Sequence, residues 1–334
     1  MAEAVALIAA FAALAYGLLG GADFGGGVWD LFASGERKQA QRAAIANAMG
    51  PVWEANHVWL IFLIVILFTA FPPVYSTLST ALFIPFHLVL LGIVLRGAAF
   101  VFRAYGNRAG TSITATERTW GVVFGISSTI TPFLLGACMG AVATGAIRVV
   151  DHRVTTEGLP WLLPMSLMTG ALALAICAYL AAVYLTIETR AELQRDFRRY
   201  ALIAGTFTVA LSVLALPLMR TEAPHLWRGL LSARALPMLV AGGVAALLAG
   251  WSLLRAHYRL ARAAAIVQTA MLLAGWIAAQ YPYLVFPDLP IRTAAAPPAS
   301  LQFFLIALPA GLALLLPSLY LLFRVFKGTQ SHAP

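Results

Sequence analysis

Charged residues are scarce in this chain of 334 residues. Asp, Glu, Lys and Arg make up 10% of the sequence and hydrophobic residues 61%, whereas soluble domains average about 25% charged residues. This composition excludes an ordinary soluble domain and indicates a polytopic membrane protein, with room for about nine spans of roughly 20 residues each. Basic cytoplasmic loops explain the net charge of +9, so we expect no nucleic-acid partner.

Cysteine is also scarce, with Cys138 and Cys177 as the two cysteines. Both lie inside apolar runs, which predicts small buried hydrophobic side chains and neither a disulfide nor a metal pair. The sequence contains no Walker loop, no dinucleotide fingerprint after a strand and no His-Glu-x-x-His motif, so we expect no metal site. The segment from Val5 to Leu19 has no basic residues before it and no small-residue cleavage site after it, which predicts a retained span.

The apolar runs predict an all-α membrane protein with nine transmembrane helices. The charged connection from Arg190 to Tyr200 divides one integral membrane domain into two parts. Residues 1–190 hold the acidic segments, and residues 191–334 are expected to be mainly structural. The nine predicted helices lie approximately at 4–30, 50–72, 77–103, 118–147, 160–188, 199–219, 234–256, 262–281 and 300–325.

Basic residues are unequally distributed between the two sets of loops. Of the 22 Lys and Arg residues, 15 lie in one set of loops and the C-terminal tail, six lie in the other set, and Arg96 lies inside helix three. The positive-inside rule therefore predicts an N-terminus outside and a C-terminus in the cytoplasm. In this orientation Asp23, Asp30 and Glu54 all lie toward the cytoplasmic side.

Two acidic residues lie within or beside predicted spans. Glu54 belongs to the segment from Asn47 to Leu60, where Pro51 suits the first turn of a helix. Asp23 lies in a glycine-rich stretch of helix one. A carboxylate inside a membrane is costly and is a functional-site hypothesis. The structural alternative for Glu54 is that a helix N-terminus favours a negative charge by about 0.3–1 kcal/mol.

Helices one and three contain features that bear on how Asp23 is placed. Gly17, Gly21 and Gly25 are spaced four apart and predict a small-residue ridge that a neighbouring backbone can approach closely. The ridge serves packing alone, or it also places Asp23 against another helix. Arg96 likewise has two interpretations: it snorkels to the surface, or it is the counter-ion of an acidic residue.

The residues around Glu54 favour a protonatable group in a relay. Trp53 precedes it, and Asn56 and His57 follow it. A second histidine, His87, lies in the middle of helix three, where a single histidine is more often hydrogen-bonded core than a ligand. The two histidines could bind heme only if helices two and three placed them face to face, which their positions do not favour.

Several stretches, spread over the whole chain and in the same order, resemble subunit II of the cytochrome bd-type quinol oxidases. The match is specific in combination, whereas each stretch alone would be weak. The matching stretches are Gly21 to Leu31, Asn47 to Leu60, Leu95 to Phe100, and Gly275-Trp276 with Gln280 to Tyr283.

The resemblance implies a fold of two four-helix bundles plus one peripheral helix in the bacterial cytoplasmic (inner) membrane, where the charge bias predicts a periplasmic N-terminus. It implies a complex that oxidises quinol and reduces dioxygen to water, with heme b, heme d and the quinol site in subunit I. Subunit II would support subunit I and help form a proton path from the cytoplasm. Small accessory subunits and a structural quinone or lipid are left open.

The resemblance also implies roles for individual residues. The acidic residue that follows Trp in the family matches Glu54, and the acidic residue of its first glycine-rich segment matches Asp23. No catalytic residue is expected in this chain. The expected proton-path residues are Glu54, Asp23, Asp30, Asn56 and His57, with Trp53, Arg96 and His87 in support.

The chain departs from the family pattern at two positions. Many members have Asp where this chain has Gly20, and Asp or Glu where it has Val101. The relay would therefore run through fewer groups here. Two other functions fit the intramembrane acids: a secondary transporter, in which such residues mark a substrate path, and a purely structural scaffold subunit.

Overall fold

The computed structural model describes residues 1–49, 53–106, 115–151, 153–156 and 158–328. Within these residues the fold is almost entirely helical, with twelve α-helices and two short antiparallel hairpins. The predicted all-α class is therefore confirmed.

The elements follow one another with short connections. The hairpins pair β1 with β2 and β3 with β4. The helices are α1 (Ala2–Phe32), α2 (Lys38–Met49), α3 (Trp53–Ala70), α4 (Pro72–Ala81), α5 (Phe83–Gly106), α6 (Ala115–Thr144), α7 (Pro164–Glu188), α8 (Ala191–Glu222), α9 (Pro224–Leu230), α10 (Leu236–Leu254), α11 (Tyr258–Gln280) and α12 (Pro298–Gly328), and the strands are β1 (Ile147–Val150), β2 (Arg153–Thr156), β3 (Tyr283–Val285) and β4 (Leu289–Pro290).

Eight of the described helices are long and apolar enough to cross a membrane, and a bent pair makes a ninth candidate span. In that pair, α3 and α4 meet at 117°. The bend falls at Pro72 and Pro73, which have no backbone N–H to continue the helical hydrogen bonds. The predicted start of helix three near residue 77 is wrong, because residues 77–81 belong to α4 and α5 begins at Phe83.

Helix α1 packs closely on α7 through its glycines. A Cβ atom at Gly25 would overlap the backbone carbonyl of Cys177, and one at Gly21 would lie 3.6 Å from the Cys177 sulfur. One turn further on, the Trp29 indole donates a 2.7 Å hydrogen bond to the carbonyl of Ala178. Two of the three predicted ridge glycines, Gly21 and Gly25, therefore form the contact with α7, whereas a Cβ atom at Gly17 would lie 2.6 Å from Leu273 of α11.

Helix α7 contacts both a first group of helices (α1–α6) and a second group (α8–α11). It packs with α1 and α6 of the first group and with α8 and α11 of the second. Helices α10 and α11 pack on each other, while α12 touches mainly α3 and is otherwise exposed. The expected division between residues 190 and 191 falls at the turn between α7 and α8, and it stays a prediction.

Helix α2 is a polar helix that the apolar pattern did not predict. Arg37, at its start, makes two hydrogen bonds of 2.7 and 2.8 Å to Asp196 of α8, and Gln41 adds a third of 3.0 Å. Ile45 is buried and packs with Phe197. These contacts hold the segment that follows α1 against the N-terminal part of α8.

Candidate functional site

Asp23 and Arg96 form an ion pair inside the first group of helices. One Arg96 amino group lies 2.6 Å from Oδ1 of Asp23 and 3.2 Å from its backbone carbonyl. The Arg96 Nε atom donates to the Ser128 hydroxyl at 3.0 Å. Both charged side chains are only 2% exposed. This geometry matches the counter-ion interpretation of Arg96 and not the snorkelling one.

Asp30 forms a second ion pair nearer the end of α1. Arg103 donates two hydrogen bonds, of 3.0 and 3.1 Å, to the two carboxylate oxygens. Arg42 of α2 lies 3.8 Å from the same carboxylate and donates to the Asp30 backbone carbonyl at 3.2 Å. The carboxylate is buried, but Arg103 and Arg42 are 24% and 20% exposed, so this pair is closer to solvent.

The two pairs form a ladder between α1 and α5. Asp23 and Asp30 are seven residues apart, as are Arg96 and Arg103, which is two helical turns or about 10 Å along each axis. Helix α6 packs against both α1 and α5. Its Phe124 ring lies between the rungs, with its centroid 5.2 Å from the Arg96 guanidinium carbon and 5.3 Å from that of Arg103.

Small residues and aromatic rings make room for the inner rung and exclude water from it. A Cβ atom at Gly27 would overlap the Ser128 side chain, so the glycine allows Ser128 to reach Arg96. The Phe24 ring covers the Arg96 guanidinium at 5.0 Å. Buried charges need such pairing, because an uncompensated charge in a low-dielectric interior costs several kcal/mol.

The structure brings only some of the other expected site residues to this region. Asn56 is 5% exposed on α3. The His57 ring packs on α1, 5.9 Å from the Phe24 ring and 6.1 Å from the Tyr16 ring. Trp53 and Glu54 lie in the first turn of α3, but their side chains lie outside the described part of the structure.

His87 does not join the cluster. It lies on the exposed side of α5, where its Nδ1 atom is 2.7 Å from the Phe83 carbonyl of the same helix and its ring packs on Phe83 at 4.0 Å. The supporting role expected for His87 at this site is therefore not matched by its position.

Charged side chains that are fully buried are confined to this cluster in the described part of the chain: Asp23, Asp30 and Arg96. The described residues also contain no group of three or more His, Cys, Asp or Glu side chains that could hold a metal ion. The two ion pairs and the hydrogen bond to Ser128 link α1, α5 and α6. Oδ2 of Asp23 has no hydrogen-bond partner among the described residues.

Comparison with known proteins assigns this architecture to a family. The family model for subunit II of cytochrome bd terminal oxidases matches residues 1–326. The chain belongs to the cytochrome bd terminal oxidase subunit II family. A solved structure of bd oxidase from Geobacillus thermodenitrificans has the same fold, with a TM-score of 0.80 at 24% identity over 97% of this chain and 98% of that one.

Relatives with curated names agree with this family. The Bacillus subtilis cytochrome bd ubiquinol oxidase subunit 2 is 29% identical over 61% of this chain and 59% of its own length. The Bacillus subtilis putative cytochrome bd menaquinol oxidase subunit II is 24% identical over 95% and 93%. The Escherichia coli cytochrome bd-I ubiquinol oxidase subunit 2 is 26% identical over 60% of this chain and 52% of its own length.

Sequence reasoning missed the outer rung and the ring between the rungs. It placed residue 103 at the end of predicted helix three without assigning Arg103 a partner, and it gave no role to Phe124 or Ser128. The equal seven-residue spacing of two acids on helix one and two arginines on helix three was the available signal. This spacing was not decisive from sequence alone, because it does not show that α1, α5 and α6 pack together.

Proposed function

We propose that this chain acts as subunit II of a complex that couples quinol oxidation to the reduction of dioxygen to water. In this proposal heme b, heme d and the quinol site belong to subunit I. The present chain supports subunit I and helps deliver cytoplasmic protons to the oxygen-reducing heme. His57 packs on α1 and His87 lies on the exposed side of α5, so these two histidines do not face each other as an axial heme pair.

The observation that carries the proposal is the confinement of buried charge to the first group of helices. A transporter of the inverted-repeat type would place charged or ion-binding groups in both halves. In α8, α10 and α11, the buried polar side chains of the described chain are neutral, namely Thr208, Ser252, Gln268, Thr269 and Gln280. This asymmetry favours an oxidase subunit with one polar path over a transporter.

Within this path the two ion pairs and Glu54 have different tasks. Arg103 and Arg96 hold Asp30 and Asp23 in fixed positions along α1, from the partly exposed outer rung to the buried inner rung. Each pair is balanced in charge, and Arg42 adds one positive charge beside Asp30 at the outer rung. Glu54, near His57 on α3, is the group proposed to accept and release the proton.

A scaffold role is the second candidate function, and the ladder favours it directly. Two buried ion pairs that join α1, α5 and α6 would fix the relative positions of these helices even if no proton moved along them. The two candidate functions predict different turnover rates for Glu54→Gln, which removes the charge of the carboxylate without changing the shape of the side chain.

The experiment compares Glu54→Gln, Glu54→Asp and the control Glu188→Gln in the purified complex. Glu188 is an exposed carboxylate at the end of α7, and its variant controls for the loss of one acidic group. If Glu54 carries protons, Glu54→Gln slows quinol-driven oxygen consumption, Glu54→Asp recovers part of the rate, and Glu188→Gln matches wild type. Heme content, read from the reduced-minus-oxidised spectrum, stays intact. Wild-type turnover in a fully hemylated Glu54→Gln complex would leave only the scaffold role.

A further inference from the structure

Four arginines meet at one end of the second group of helices, and we call them the arginine patch. They are Arg198 of α8, Arg255 at the end of α10, and Arg259 and Arg262 in the first two turns of α11. An Arg198 amino group donates a 2.7 Å hydrogen bond to the backbone carbonyl of Leu254, which holds α8 against the turn between α10 and α11. Buried side chains of the same three helices pack together next to this hydrogen bond. One packed junction of three helices therefore carries all four arginines.

Within the described chain, no acidic side chain is paired with the arginine patch. Residues 236–280, which include α10 and α11, contain no Asp or Glu. The acidic residues at the start of α8 are already paired with other arginines, as Asp196–Arg37 and Glu192–Arg195. Two arginines of the patch lie three residues apart on α11, where like charges repel each other. The patch is therefore a concentration of positive charge that an anion would stabilise.

An exposed apolar stripe on α10 leads to the patch. Leu247, Trp251 and Leu254 are spaced four and three residues apart, so they lie on one face of the helix, and each is at least 48% exposed. Trp251 lies one turn before Arg255, and tryptophan is enriched at the depth of the lipid headgroups. The stripe and the patch therefore match the two parts of a phospholipid, with apolar side chains at the depth of the tails and guanidinium groups at the depth of the headgroups.

We propose that the arginine patch binds the anionic headgroups of phospholipids, with the stripe on α10 against their acyl chains. Guanidinium groups bind phosphate oxygens through paired, charge-assisted hydrogen bonds. Clusters of about four to eight basic residues beside a span attract anionic lipids. Phosphatidylglycerol, which carries a net negative charge, therefore fits this surface better than phosphatidylcholine, which carries none. The distribution of basic residues predicts that the leaflet at the patch is the cytoplasmic one.

The positive-inside rule by itself does not account for the patch. The rule explains why basic residues are more frequent on one side of the membrane, but Arg37 and Arg103, predicted on the same side, are each paired with a carboxylate. The four patch arginines instead converge on one junction without a carboxylate. The lipid site is independent of proton delivery, because lipid binding decides it whatever the turnover of Glu54→Gln.

Lipid binding to the purified complex in a neutral detergent tests the proposal. The complex is titrated with phosphatidylglycerol or with phosphatidylcholine of the same acyl chains, and bound lipid is counted by native mass spectrometry. The wild-type complex should prefer phosphatidylglycerol, and the preference should weaken as salt is raised. Arg255→Gln combined with Arg259→Gln should lower the affinity of one phosphatidylglycerol site about thirty-fold, or about five-fold for each arginine. Both arginines are exposed, so folding and heme content should stay intact.

Two matched variants show whether charge at this junction sets the affinity. Arg153→Gln combined with Arg220→Gln removes the same charge from exposed residues at the other end of the helices, and it should bind phosphatidylglycerol like wild type. Arg255→Lys combined with Arg259→Lys keeps the charge at the patch and should retain most of the affinity.

The proposal has clear contrary results. Unchanged phosphatidylglycerol binding in the glutamine variant of the patch, an equal loss in the control at the other end, or equal wild-type affinity for the two lipids would overturn it. A lysine variant as weak as the glutamine variant would overturn it too, because the loss would not follow charge. Full competition by soluble glycerol phosphate would show that the patch takes a free phosphate, and the lipid assignment would then be wrong.

Discussion

Removal of the Arg96 guanidinium tests whether the inner rung is held by its charge pair. Arg96→Met keeps most of the side-chain length but leaves the Asp23 carboxylate 2% exposed and without its counter-ion. It also removes the donor to Ser128. Breaking a buried pair from one side costs about 3–5 kcal/mol, so the variant complex should be destabilised by about that amount.

The matched comparison is Arg103→Met on the outer rung. Arg103 is 24% exposed, and Asp30 keeps Arg42 nearby after the change, so the loss should be less than half of that at Arg96. Neutralising both partners, as Asp23→Asn with Arg96→Met, should recover most of the stability lost in the single variant, because no unpaired charge remains.

The measurement is the free energy of unfolding of the purified complex in mixed detergent micelles, with the yield of assembled complex as a second readout. Equal decreases in the free energy of unfolding for Arg96→Met and Arg103→Met would show that burial of the ion pair does not set the size of the decrease. A double variant no more stable than Arg96→Met would show that the charge pair is not the source of the loss.

Two further predictions concern packing and the outer loops. Gly25→Ala should cost about 1–3 kcal/mol, because its Cβ would overlap the Cys177 carbonyl, whereas Gly243→Ala in open space on α10 should cost nothing; thermal unfolding of the two variants checks this, and equal stability would contradict it. Hydrogen bonds from Arg148 hold the pKa of Asp288 below its ordinary value, so the pair contributes stability above about pH 4 and loses it as pH falls through the lowered pKa. The difference in melting temperature between wild type and Asp288→Asn should be constant near neutral pH and shrink below about pH 4; a difference that does not depend on pH would contradict this.

The sequence predicted the features that depend on composition and local pattern. Long apolar runs are sufficient to identify spans, because lipid requires each span to satisfy its own backbone hydrogen bonds. The glycine contact was also predictable from local pattern, because Gly21 and Gly25 lie on one face of α1 and small residues allow backbones to approach closely.

The sequence did not predict the features that depend on contacts between distant segments. The bend at Pro72 split an apolar run, and hydrophobicity alone does not show which way a chain turns after a proline. Helix α2 was missed because it is held by a partner far along the chain, Asp196, and not by an apolar stripe of its own. Whether Arg96 snorkels or pairs with an acidic residue stayed open, because the order of charges along the chain does not show which helices pack together.

Proton uptake during a single turnover shows directly whether Glu54 delivers protons to the oxygen-reducing heme. The fully reduced complex is mixed with dioxygen, and proton uptake from the cytoplasmic side is followed with a pH indicator in wild type, Glu54→Gln and the control Glu188→Gln. If this subunit delivers protons through Glu54, uptake is slower in Glu54→Gln at unchanged heme content and matches wild type in Glu188→Gln. Uptake at the wild-type rate in Glu54→Gln, across the pH range, would contradict proton delivery by this subunit.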